Sequence, residues 1–395
     1  MITINTAESA LKNIYLETVV NDINTKTNPF LTMIAGNTKT VAEKDARASI
    51  RFNNDGAVAA GEEAAELPTS CDARQADIVV PLKNIYGTFQ VTDKAIKAAQ
   101  NNPGAFASLI GGEMQNLVAA AQRNLNRMIF GSGEKDVLAV AATMNSTSNL
   151  ATFADASRLR AGMYINAFCN QGNQVNPSPM RITEVMGNNA TFTTTGMSVN
   201  PTMAPFTWIL AGGAQTSEKE LSSIETIFDT DTLYNLKREK YEDILPFDRS
   251  NLGTAPISED DVMDFLDLME EHAGIQSTNL IMTHPNMRKA LFDSLSGSRL
   301  NADATELAGG FRALTFNGIP VYSDVKCRRD ALYALNTDGW AMHQLCDWTW
   351  LEGDDGAILR QIPGKSVFSA TLVKYADLIC EKPFLQGRLT GKGAR

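Results

Sequence analysis

Long apolar runs are missing from this 395-residue chain. No window reaches the roughly 18 consecutive apolar positions that a membrane-crossing helix requires. The opening MITINTAESA lacks the basic start and apolar centre of a secretory signal, so the chain is expected to be soluble and made inside the cell. Basic residues are outnumbered, 35 Lys and Arg against 45 Asp and Glu, for a formal net charge of -10. That is the wrong sign for a protein that gains affinity by neutralising phosphates, which argues against tight, general nucleic-acid binding. Histidine is scarce. His272, His284 and His343 lie far apart, with no HExxH pair and no CxxC, so no metal site is expected and each reads as a capping or surface residue. The five cysteines, Cys71, Cys169, Cys327, Cys346 and Cys380, are an odd count at unrelated spacings, which suits reduced core thiols rather than a disulfide framework.

Catalytic patterns are also lacking. Gly364-Lys365-Ser366 resembles the end of a phosphate-binding loop, but Leu359 stands where its first glycine belongs and Pro363 removes a backbone donor. Gly391-Lys392 fails the same test at Gln386. Ser132 in FGSGEK follows a helical pattern, whereas a nucleophile elbow precedes one, and a helix cap explains its glycines. Glu270-Glu271-His272 falls at a helix C-terminus, where the helix dipole favours histidine without any chemistry. Trp340, Trp348 and Trp350 sit among acidic residues, which suits packing better than stacking on nucleic-acid bases. The sequence therefore implies no enzyme, no cofactor and no metal.

What is present is structural. With 44% apolar residues the chain can bury a sizeable core in two or three compact units. Leu11, Ile14, Tyr15 and Val19 recur at helical spacing until Asn28-Pro29, which predicts a short helix and then an extended segment. Residues 47–53 and 78–92 read as long strands flanking the small, acidic DGAVAAGEEAAELPTS, a protruding hairpin. Asn102-Pro103 opens a long helix with Phe106, Leu109, Ile110, Met114, Leu117, Val118, Ala121, Leu125, Met128 and Ile129 on one face; Asn116, Gln122, Arg123, Asn126 and Arg127 lie on the other, and Gly131 ends it. Residues 137–213 break into strand-like runs (GMYINAFC, MRITEV, ATFTTT, FTWILAG) typical of a small all-β unit, a candidate barrel. SEDDVMDFLDLMEEHAG predicts a helix with a Ser-x-x-Asp cap, NLIMT a buried strand, PNMRKALFDSL a helix, TFNGIPVYSD a hairpin at Asn317-Gly318, and DALYALN a strand. SVFSATLVKYADLICEKP reads as long strands returning to an earlier sheet.

This order of parts resembles the major capsid proteins of tailed bacteriophages, the Hong Kong 97 fold. The resemblance is carried by TNPFLTMI, VPLKNIYGTFQVTDKAI, the helix from NPGAFASLIGGEM to NRMIFGSG, THPNMRKALFDS and FRALTFNGIPVYSD, and it covers most of the chain outside 137–213. It implies an α+β Hong Kong 97-like capsid fold: an N-terminal arm (1–46), an extended hairpin loop (47–92), a peripheral domain with its spine helix (93–136), an inserted small β-barrel (137–213), a peripheral continuation (214–254), an axial α/β domain (255–350) and a C-terminal return to the peripheral domain (351–395).

The function so implied is an icosahedral phage head built of hexamers and pentamers around double-stranded DNA that is packaged without sequence-specific binding. The protein would be made in the host cytoplasm and reside in the virion. Its implied partners are itself, a separate scaffolding protein (the arm begins almost at Met1), a portal, and a cement or decoration protein, with no membrane. The acidic balance fits a container whose wall must not adhere to DNA. Lys83 and Lys94 are nominal candidates for the Lys–Asn crosslinks of some members, but no covalent chainmail is expected. Glu62, Glu63 and Glu66 have no local basic partner and are expected to face Arg123 and Arg127 of another subunit. Gly111-Gly112 either precedes a regular helix starting at Glu113 or forms a hinge that absorbs curvature differences between subunits. The rival readings are an encapsulin-type nanocompartment shell and an unfamiliar enzyme with two α/β parts.

Overall fold

A computed structural model describes residues 16–34, 37–41, 43–51, 60, 75–99, 103–131, 137–145, 147–154, 156, 158–193, 203–210, 220–229, 232–234, 236–240, 245–250, 256–273, 278–295, 304–307, 311–353 and 356–391. The chain divides into two compact units, one comprising Met1–Asn126 with Asp231–Arg395 and the other Arg127–Thr230.

In the first unit, helix α1 (Leu16–Lys26) is followed by α2 (Pro29–Ile34). Sequence reasoning made the second segment extended; instead Asn28-Pro29 starts a new helix. Pro29 occupies the first helical position, and the Asn28 Oδ1 accepts from the Phe30 N–H at 2.8 Å as its cap. Strand β1 (Lys39–Thr40) precedes the hairpin of β2 (Asp45–Arg51) and β3 (Gln75–Pro81), paired from Asp45↔Pro81 to Arg51↔Gln75. The single long strand predicted over 78–92 divides: β3 stays in the hairpin, while β4 (Lys83–Thr92) enters a different sheet. The break falls where Pro81 has no N–H to donate and the Leu82 N–H turns to the Lys44 carbonyl at 3.2 Å.

Helix α3 (Asp93–Ala99) leads to α4 (Pro103–Ile129), 27 residues without interruption and about 40 Å long at 1.5 Å per residue. It runs through Gly111-Gly112, so the alternative start at Glu113 is excluded. Met114, Leu117 and Leu125 are buried, and α4 approaches β4 so closely that a Cβ at Gly87 would lie 2.9 Å from Leu117 Cδ1. Glycine at the centre of β4 is the residue that permits this contact.

The second unit holds β5 (Val137–Asn145), β6 (Leu150–Phe153), β7 (Tyr164–Phe168), β8 (Met180–Met186), β9 (Asn189–Phe192) and β10 (Phe206–Leu210), closed into a barrel in the order β10-β5-β6-β9-β8-β7. Register shifts at 141/143, 182/184 and 208/209 supply the local bends that closing a small barrel requires. Trp208, fully buried, fills the centre with edge-on contacts to Phe153 at 4.7 Å and Phe192 at 5.5 Å.

Back in the first unit come the short pair β11 (Thr232–Leu233) and β12 (Leu236–Lys237), then β13 (Phe247–Arg249), α5 (Glu259–Ala273), β14 (Leu280–Thr283), α6 (Pro285–Leu295), β15 (Ala304–Leu307), β16 (Phe311–Phe316), β17 (Ile319–Ser323), β18 (Ala331–Leu335), β19 (Trp340–Trp350), β20 (Arg360–Gln361), β21 (Val367–Cys380) and β22 (Gly387–Thr390). Ser258 and Asp261 cap α5 reciprocally, and Asn317-Gly318 turns β16 into β17 with φ of 48 and 78 at the two residues. A seven-stranded sheet runs β13-β22-β18-β14-β17-β16-β15, with Phe265, Met269, Met287 and Leu291 of the two helices packed in its core.

The strands of this sheet do not coincide with the span 255–350 expected for one domain. Phe247–Arg249 and Gly387–Thr390 join this sheet, whereas Trp340–Trp350 leaves it to pair with β21. Central β21 bonds β4 along one edge and β19 and β20 along the other, with β1 added to β19 in parallel.

Candidate assembly surface

The arm is held to the body by buried apolar side chains, Ile23, Phe30 and Ile34 among them, and by side-chain amides. Gln122 of α4 donates to the Asp22 carbonyl at 2.7 Å, and Asn28, buried completely, donates to Asn126 at 2.8 Å. Asn126 in turn donates to Asp324 in the loop after β17 at 2.7 Å. The polar side of α4 is in part a bracket for the arm.

Further along the arm, Asn24 donates to Asp347 Oδ2 at 2.9 Å, and the buried Lys374 donates to Asp347 Oδ1 at 2.6 Å and to Gln344 at 3.0 Å. Partial burial pushes Asp347 up, but the Lys374 ammonium and the hydrogen bonds from Lys374, Trp348 and Asn24 outweigh it and hold the carboxyl below its ordinary range. A cavity of about 300 Å³ lies here between arm and sheet, with Leu31, Ile34, Leu125 and Met342 on its apolar side.

At the end of the arm Lys39 pairs with Glu381, which also bonds the buried His343 Nε2 at 3.1 Å. The hydrogen bond from His343 is the largest influence on Glu381; with Lys39 it overcomes the opposing effect of burial and lowers the carboxyl to about 2.

Of the proposed contact residues, Glu62, Glu63 and Glu66 lie outside the described residues. Arg123 is exposed on α4. Arg127 is not: its side chain is 3% exposed and forms a two-pronged pair with Glu220 at 2.6 and 2.8 Å. Its guanidinium is committed within its own chain, and Arg127 is withdrawn from the contact set. Gly112 is exposed, and a Cβ there meets nothing within 4 Å. Lys83 is buried in β4, and Lys94 is exposed.

The histidine expectation needs correction at His343, whose buried ring is held by Glu381. His284 caps α6 by accepting from the Asn286 N–H at 3.2 Å, and His272 reaches the Leu245 carbonyl. Gly364-Lys365 forms the tight turn between β20 and β21, with Lys365 N–H donating to Ile362 and Ile362 N–H to Val367. Ser132 lies outside the described residues. Cys169, Cys327 and Cys380 are buried, as are all three late tryptophans.

One sheet face stands out for its lack of charge. The exposed side of β4 presents Asn84, Tyr86, Thr88, Gln90 and Thr92, opposite Tyr375, Val373, Thr371, Ser369 and Val367 of β21. Tyr86, 57% exposed, meets Tyr375 edge-on at 6.4 Å, and the Thr88 and Thr371 hydroxyls are 3.1 Å apart. The partner of β4, β21, is too distant along the chain for the combined surface to be read from sequence.

No protein-family model matches the sequence, and no curated protein matches it. Among solved structures the chain is similar to one in the capsid asymmetric unit of cyanophage A-1(L), at 12% identity over 94% of this chain and 93% of that one, with a TM-score of 0.55. Weaker similarities, both at TM-score 0.45 and 10% identity, reach the holo-SrpI encapsulin complex of Synechococcus elongatus PCC 7942, over 90% and 85% of the two chains, and the satellite phage P4 procapsid that includes the size determination protein, over 95% and 99%. The chain is a mixed α+β protein with a Hong Kong 97-like capsid fold.

Proposed function

We propose that this chain is the major capsid protein of a tailed bacteriophage, a structural subunit that assembles into the hexamers and pentamers of an icosahedral head around double-stranded DNA. The observation that carries the reading is the near full-length match to a chain of a phage capsid at a TM-score of 0.55. In this reading α4 is the spine of the peripheral domain, the barrel is an insertion in it, the seven-stranded sheet surrounds the capsomer axis, and the β2–β3 hairpin grips a neighbour. A scaffolding protein, a portal and a decoration protein are the partners such a head requires, and the net charge of -10 keeps packaged DNA from adhering to the wall. Glu62, Glu63 and Glu66 face Arg123 of an adjacent subunit.

Electron microscopy of the purified protein tests the reading, with capsomers or closed shells as the expected result. A chain that stays monomeric under every assembly condition overturns it. Particles carrying nuclease-protected DNA support the phage head, whereas particles filled with an enzyme cargo point to an encapsulin-type shell.

A further inference from the structure

The chain blunts most of its sheet edges. The seven-stranded sheet ends in β13 and β15, of three and four residues, and the barrel is closed. The outer edge of β19 carries β1, and β19 has two register shifts. Short strands, closure and irregularity are the usual protections against pairing with another chain.

The outer edge of β4 has none of them. It is ten residues long, holds one unbroken register with β21 and contains no proline; its single lysine, Lys83, is buried. Among the described residues no strand pairs with that edge. The Asp93 N–H donates to the Ser366 carbonyl at 3.1 Å, which fixes the alternation in this antiparallel ladder. Odd-numbered residues turn N–H and C=O toward β21, and Asn84, Tyr86, Thr88 and Gln90 turn theirs away. The edge already takes one such bond at its start, where the Leu82 N–H reaches the Lys44 carbonyl.

We infer that the open edge of β4 is a strand-acceptor site, filled in the assembled particle by an extended segment of a second copy of this chain. The inference rests on the proposed shell-forming function. The occupant follows from charge: two copies at -10 each repel, and they meet at least cost where neither side carries a formal charge. Residues 84–92 of β4 and residues 367–373 of β21 beside them contain no Lys, Arg, His, Asp or Glu. An edge that receives a different segment of its neighbour is a heterologous contact, the kind that closes into rings.

Residue-resolved amide hydrogen exchange on the full chain, before and after assembly, tests the inference. In the unassembled chain the N–H groups of Tyr86, Thr88 and Gln90 exchange rapidly, while those of Gly87, Phe89 and Val91 are protected by β21. On assembly the even-numbered set slows by on the order of a hundredfold, and the odd-numbered set stays protected. Slow exchange of the even set before assembly shows the edge already paired within one chain and overturns the inference. Particles that form while the even set still exchanges rapidly overturn it too, and leave the shell-forming function standing. A chain that never assembles overturns both. The variant Gln90→Pro removes one outward N–H and leaves the ladder to β21 intact; it is expected to melt like the parent and to form at least tenfold fewer particles. Normal particle yield from a folded Gln90→Pro chain counts against the inference.

Discussion

Asn28 and Asn126 meet side chain to side chain at 2.8 Å, and through Asn126 the same relay continues to Asp324 at 2.7 Å. Three parts of the chain, the arm, the long helix and the loop after β17, are joined by two hydrogen bonds at a largely buried point. Replacing Asn126 with Ala leaves the Asn28 amide without that acceptor and Asp324 without that donor. A buried polar group left unpaired costs about 1–3 kcal/mol. The melting temperature should fall by several degrees, and limited proteolysis should cut first within residues 16–34. An unchanged melting temperature and digestion pattern would show that the relay does not hold the arm.

Glu381 links arm strand β1 to the sheet through Lys39 and His343. Its carboxyl is depressed from 4.5 to about 2, so its contribution is fully present above pH 4.5 and is lost as pH falls toward 2. The parent chain should therefore show an acid-sensitive release of the arm in that window, read by proteolysis at residues 37–41. Glu381→Gln should flatten the pH dependence there and weaken docking at neutral pH.

The two arginines of α4 should behave differently. Arg127→Met removes both hydrogen bonds from the Arg127 guanidinium to Glu220 and should destabilise the chain by about 3–5 kcal/mol, as loss of one partner of a buried pair does. It should not alter the salt dependence of assembly in any chain that still folds. Arg123→Gln, like the triple change of Glu62, Glu63 and Glu66 to Gln, should leave stability alone, because exposed pairs contribute about 0–1 kcal/mol. Both should shift the salt concentration at which shells form. Unchanged salt dependence in both would remove Arg123 from the contact set.

Gly111-Gly112 lies inside an uninterrupted helix, where each glycine costs about 1 kcal/mol relative to alanine. Alanine at 112 enters open space, so the double alanine variant should be the more stable protein. If the pair is a hinge, that variant should assemble into tubes, sheets or shells of aberrant size. Normal shells with the same helix bend in every subunit would reduce α4 to a plain strut.

Local chemistry made much of this fold legible. Asn102-Pro103 and Gly131 bounded α4, Ser258 with Asp261 announced α5, and Asn317-Gly318 fixed a hairpin. Strand-like runs in 137–213 correspond to β7 through β10. Long-range pairing was not legible. Pro81 marks the break between β3 and β4, but that the two join different sheets is decided by β21, distant in sequence. Likewise the alternation in β19 cannot say which sheet it joins. At the candidate site, Arg127 had the same sequence signature as Arg123, and only Glu220, distant in sequence, separates a buried pair from an exposed charge. Of the arm's amide bolts, Asn24, Gln122 and Asn126 carry no motif, and Asn28-Pro29 marks a helix boundary without naming Asn126 as a partner.

The ladder between β4 and β21 also sets a clock. Thr92 pairs with Val367, so most of the chain must be synthesised after β4 before its partner exists. At ordinary rates of about 5–20 residues per second, β4 waits on the order of ten seconds or more. During that time the long helix has no finished sheet to lie on, and the arm lacks β19, which β1 joins at His343. A nascent chain thus lacks the combined β4–β21 surface until residue 367 has been made. If copies join through that surface, as the proposed shell requires, a chain that stops before residue 367 should fail to assemble.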